Sequence, residues 1–92
     1  RMIARGLQSR AAALRIGAEI EDMDLSDLAR LTKQTSNAEI VKVYSLLSKG
    51  SRNHLRAFVG ALSRIGESYK PFKITQEEFN KIVSSPMERG PN

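Results

Sequence analysis

Leu14, Ala18, Leu25, Leu28 and Leu31 fall at helical spacing along the first third of the chain, with Glu21 in the same stripe. Steps of four and three are the period of an amphipathic α-helix. No proline interrupts the pattern, and Ser9 is a candidate N-cap. Gly17 is the weak point. In a helix interior it costs about 1 kcal/mol against Ala, so it predicts a close helix contact. The stripe fades at Thr35-Ser36-Asn37, a turn cluster that offers Asn37 as the next N-cap.

A second stripe reads Ile40, Tyr44, Leu47, Ser51, His54/Leu55, Phe58, Leu62 and Ile65. It predicts a helix over 38–65 closed by Gly66 as a C′ glycine. Gly50 and Gly60 suggest further close packing. The short connection makes the two long helices antiparallel neighbours. Residues 67–74 read as extended, because Pro71 disfavours helix at its predecessor. Thr75-Gln76-Glu77-Glu78 is a capping box opening a short helix over 76–84, with Phe79, Ile82 and Val83 inward. The fold class is therefore all-α: a long antiparallel hairpin plus a short C-terminal helix. Residues 1–92 form one domain, with 1–8 and 85–92 expected as loose ends.

Size and charge narrow the function. With 92 residues the domain buries a modest core and tends to lean on a metal or a partner chain. No cysteine is present, which excludes disulfides and thiolate metal sites. The compartment stays open, with the cytoplasm as default. No apolar run approaches the roughly 18 residues of a membrane span. The first residue is Arg, not Met, which fits a processed or truncated piece of something longer. A net charge of +5 raises nucleic acid as a partner. The basic residues are scattered, however, and aromatics make up only 5%, too few for a base-stacking platform.

The candidate chemistry lies where polar residues enter the apolar stripes. Glu21 needs a cation, a donor or a proton if it is buried. His54, the only histidine, lies on the facing stripe. Folding the chain at Thr35-Ser36 sets Glu21 level with about Gly50–Ser51. His54 then lies one turn beyond, roughly 5 Å away at 1.5 Å per residue. A carboxylate and an imidazole so placed are either half of a metal site or a buried polar clamp. Asp24, one turn along, is a possible second carboxylate. Asp22 and Asp27 are expected to face solvent or to pair with Arg30, Arg52 or Arg56. Arg52, Asn53 and Arg56 could bind an anion; more simply, they satisfy the acidic 21–27 stretch of the facing helix. Lys49-Gly50-Ser51 lacks the upstream glycine of a phosphate loop and falls within a helix, so it is set aside.

Three strings carry a resemblance: 18–28 (Ala-Glu-Ile-Glu-Asp-Met-Asp-Leu-Ser-Asp-Leu), Val43-Tyr44, and 50–58 (Gly-Ser-Arg-Asn-His-Leu-Arg-Ala-Phe), followed by Gly66, Tyr69 and Pro71. Over residues 10–85 the chain resembles the second half of a ferritin-like family, domain of unknown function 2202. The resemblance implies a ferritin-like bundle, in which two helices each give a Glu and two others a Glu-x-x-His pair to iron or manganese. Glu21 is similar to the single Glu and His54 to the histidine. Ser51 stands where the second Glu is expected, and the first helical pair is absent. The hairpin is then half of a four-helix bundle, completed by a second copy as a homodimer or by a missing N-terminal helical half. Two functional readings follow. One is a metal-binding bundle using Glu21, His54 and Asp24. The other is a non-catalytic dimerisation or interaction module with a Glu/Asp–Arg/His clamp.

Overall fold

The computed structural model describes residues 2–90, with side chains from Gln8 onward. Helix α1 spans Met2–Gln34, α2 Ala38–Arg64 and α3 Gln76–Val83; no strand occurs among the described residues. The backbone is already helical from Met2, so Ser9 lies inside α1 and does not cap it.

The other caps form as the side-chain chemistry predicts. Asn37 Oδ1 accepts from the amides of Glu39 at 2.9 Å and Ile40 at 3.1 Å, satisfying two orphan donors of α2. At the other end Gly66 takes φ +77, and the amides of Gly66 and Glu67 donate to the carbonyls of Ser63 (3.0 Å) and Leu62 (2.8 Å). That is a Schellman closure, and it needs a residue that accepts positive φ. Thr75 Oγ1 accepts from the Glu78 amide at 3.0 Å and starts α3.

The hairpin core repeats every seven residues: Ala11, Ala18 and Leu25 on α1 face Leu55 and Leu62 on α2. A heptad of this kind is the seam of a coiled-coil-like pair. Where the helices meet most closely, Phe58 lies over Gly17; a Cβ there would sit 2.5 Å from the ring. Gly17 is therefore the close contact the sequence predicts. Gly50 and Gly60 are not: a Cβ on Gly50 would meet nothing within 4 Å, and one on Gly60 only the Arg64 guanidinium at 3.8 Å.

Beyond Gly66 the chain folds back across the hairpin. Tyr69 and Ile74 enter the core from this loop, and Phe79 and Ile82 from α3. The Tyr69 and Phe79 rings pack tilted, centroids 5.9 Å apart. After Ser84 the backbone leaves helix and returns along α2, where Glu88 is held by Arg52, Asn53 and Arg56. The stretch 85–90 is thus a docked strap where a frayed tail was expected; 91–92 lie outside the described residues.

Candidate functional site

Glu21 occupies a core position of the heptad, a turn from Ala18 and from Leu25, and its side chain is 12% exposed. Its carboxylate faces α2, with Oε2 3.4 Å from His54 Nδ1. The side-chain directions explain how the two meet. Side chains on a helix lean toward its N-terminus. In an antiparallel pair Glu21 leans away from the turn and His54 toward it, which closes the one-turn offset of their Cα positions. His54 is 66% exposed, so its imidazole forms the outer wall.

Around this pair is an open groove of about 570 Å³ at the turn end of the hairpin. Leu28, Leu31, Leu46 and Leu47 line it, with Asp24, Asp27, Gly50 and Ser51 at its polar positions. Asp24 shares the groove with Glu21 and His54, but among the described residues no three His, Asp or Glu side chains converge as a metal site would need. Asp27 lines the groove and pairs with Arg30 at 3.4 Å, not with α2. Ser51 is buried beside the pair.

Apolar side chains continue past the groove. Ile16, Ile20 and Met23 on α1, and Ile40, Val43 and Leu47 on α2, are each 40% exposed or more. Spacings of three and four put each trio on one face. The α2 trio, with Leu47 lining the groove, leaves an unpartnered apolar face beside the seam, whereas Ile16 and Met23 lie on the side of α1 turned away from α2.

Two further polar clusters differ from the expected pairing. Asp22 does not face solvent. Its carboxylate is wholly buried and accepts four hydrogen bonds: from the Tyr69 hydroxyl at 2.6 Å and from the amides of Phe72 (2.8 Å), Lys73 (3.1 Å) and Ile74 (2.8 Å). Burial, then the hydrogen bond and charge of Asp22, push the Tyr69 phenol up. Arg52, Asn53 and Arg56 do not satisfy the 21–27 stretch either. Arg52 donates Nε and Nη2 to the two Glu88 oxygens at 2.7 Å each, and Arg56 Nη2 adds 2.8 Å. These bonds, Arg52's first, hold the Glu88 carboxyl at about 2, down from 4.5, against the opposing effect of burial. Glu88 in turn raises Arg52.

Comparison with known proteins follows the same lines. The family described as Uncharacterized protein domain (DUF2202) matches residues 1–86. The uncharacterized protein MJ0754 of Methanocaldococcus jannaschii is 46% identical over 92 residues, covering 100% of this chain and 50% of its own length. The crystal structure of the hypothetical protein MJ0754 from Methanococcus jannaschii DSM 2661 superposes with a TM-score of 0.84 at 47% identity, over 85% of this chain and 45% of that one. The chain thus spans about half the length of the curated relative it matches.

Proposed function

We propose that this chain, which belongs to the DUF2202 family, is one half of a ferritin-like helical bundle. Glu21 and His54 are its contribution to an iron or manganese site in the seam between two helical pairs. One observation carries this reading: a core-position carboxylate facing an imidazole from the other helix, Oε2 to Nδ1 3.4 Å, at the edge of an uncovered apolar face. Carboxylate and imidazole suit iron and manganese in type. They do not suffice in number, since octahedral ions take about six ligands. Asp24 is the nearest further carboxylate lining the groove. Ser51, three residues before His54, is a poor ligand where a Glu-x-x-His motif has a carboxylate. The remaining donors belong to whatever covers the open face: a second copy in a homodimer, or the other half of a longer chain. No reaction step is assigned to one chain alone.

The test is metal content by elemental mass spectrometry, on protein from iron- and manganese-supplemented medium without chelator. About one metal per two chains is expected in the wild type, the ratio of a site shared by two hairpins, and none in His54→Ala. No metal above background in the wild type overturns a site shared between two copies of this chain.

The competing reading is a helical interaction module without metal. Its specific support is that Asp22 and Glu88 tie the fold together with no help from Glu21 or His54. A carboxylate paired with a mostly exposed imidazole adds about 0–1 kcal/mol. Unchanged cooperative unfolding in excess chelator, together with no bound metal, selects this second reading.

A further inference from the structure

Among the described residues, Glu88 collects the densest set of polar contacts from a segment that belongs to no helix. Asn53 reads its main chain in both directions: the side-chain amide donates to the Glu88 carbonyl at 2.9 Å, and Oδ1 accepts from the Glu88 amide at 2.9 Å. Such a two-way bond recognises an extended backbone whatever its side chain. The arginines read the carboxylate, Arg52 as a fork and Arg56 from the side. Two parallel N–H···O bonds are the geometry in which a guanidinium selects a carboxylate over a neutral amide.

Arg56 also makes bonds that do not involve the tail. Arg56 donates Nε to the Ile82 carbonyl at 2.7 Å and Nη1 to Asn53 Oδ1 at 2.7 Å, and its side chain is 8% exposed. Its guanidinium is thus held by the end of α3 and by α2. Pro86 disfavours helix at Ser85, so the segment enters extended. Met87, which precedes the acid, stays half exposed, so the contacts read the backbone and the carboxylate and not an apolar neighbour. Held donors and two-way backbone pairing are the parts of a linear-peptide site.

We propose that Arg52, Asn53 and Arg56 form a recognition site for an extended peptide carrying a glutamate. Glu88 is its resident ligand in cis. The site lies outside the Glu21–His54 groove and does not depend on the metal reading. An acidic segment of a partner protein reaches it only when the strap lets go, because a tethered ligand acts at an effective concentration in the millimolar range.

The experiment uses the full chain with Glu88→Lys, whose tail is expelled by like charge, and a fluorescent peptide of the sequence of residues 84–90. Anisotropy is expected to report binding to this variant at least about tenfold tighter than to wild type. A Gln-for-Glu peptide should bind at least about tenfold more weakly, and adding Arg52→Ala should remove binding. No binding by a Glu88→Lys chain of native helicity, or equal binding of both peptides, overturns the proposal and leaves the strap as a fold-stabilising contact only. Should Glu88→Lys not fold, Glu88→Ala is read by the same criteria. In parallel, the Asn53 side-chain amide resonances of the Glu88→Lys chain must move on saturation with the Glu peptide and stay put with the Gln peptide. Failure there also overturns it.

Discussion

Replacing Asp22 by Asn keeps the shape of the side chain and reverses half of its hydrogen bonding. In the wild type Oδ2 accepts from the Tyr69 hydroxyl at 2.6 Å and the Phe72 amide at 2.8 Å, and Oδ1 from the amides of Lys73 at 3.1 Å and Ile74 at 2.8 Å. An Asn side chain puts an NH₂ against one of these donor pairs. Two bonds to a charged acceptor, about 1.5–3 kcal/mol each, are lost, and the other two weaken toward about 1 kcal/mol. The exposed positions Lys70, Phe72 and Lys73 let part of the loop turn to water, which recovers some of the loss. The net cost is about 3–5 kcal/mol, the magnitude for breaking a buried charged network. A domain this small has on the order of 5–10 kcal/mol to lose. At about 4–8 °C per kcal/mol, Tm should fall by at least about 12 °C. Urea and thermal unfolding followed by far-ultraviolet circular dichroism measure it. Tyr69→Phe removes one of the four bonds and should cost about 1–2 kcal/mol alone, and far less on top of Asp22→Asn. A Tm within about 4 °C of wild type for Asp22→Asn would refute the account of the loop as held down by this carboxylate.

Gly17→Ala places a Cβ 2.5 Å from the Phe58 ring and should destabilise by about 1–3 kcal/mol despite better helix propensity, read by urea midpoint. Gly50→Ala meets nothing within 4 Å and should stabilise the isolated chain by about 0.5–1 kcal/mol in the same assay. Leu55→Ala empties a position with no solvent exposure and should cost about 2–5 kcal/mol. Glu88's carboxyl is depressed from 4.5 to about 2, so the strap's contribution is complete above pH 4.5 and lost as pH falls through about 2. A carboxylate resonance of Glu88 titrating at its ordinary value would contradict the docked strap.

How much of this was legible depends on whether the signal was local. The helices were, because period and caps are written within a few residues: Asn37, Gly66 and Thr75 act where they stand. The facing of Glu21 and His54 was legible from stripe position and turn location. Asp22 was not. Its partners are 47 to 52 residues away, in a loop that neither period nor propensity describes. Pro71 and the run of donors before Thr75 were the available hint, since buried amides outside a helix need an acceptor. The strap failed for a similar reason: proline, glycine and charge read as a frayed end, and only the fold brings Glu88 to the side of α2 that carries Arg52, Asn53 and Arg56. Ser9 misled by composition, because a residue that can cap also occurs inside helices.

The seam of the hairpin is uneven, and the unevenness bears on the metal reading. Away from the turn, Gly17 lets Phe58 close the gap and the loop with α3 roofs the core through Tyr69, Ile74, Phe79 and Ile82. Toward the turn no third element among the described residues covers the pair, and Ile40, Val43 and Leu47 stay exposed. Glu21 and His54 sit at the border, one side dry and one side open. A carboxylate there is kept from water by its own helix pair yet lacks enough partners within it. Closing the open face with a second helical pair would both bury the exposed stripes and bring further donors to that border. Assembly and metal affinity are then one event on the proposed reading. For a homodimer, metal retained per chain should fall with the dimer fraction on dilution; for a site complete within one chain it should not.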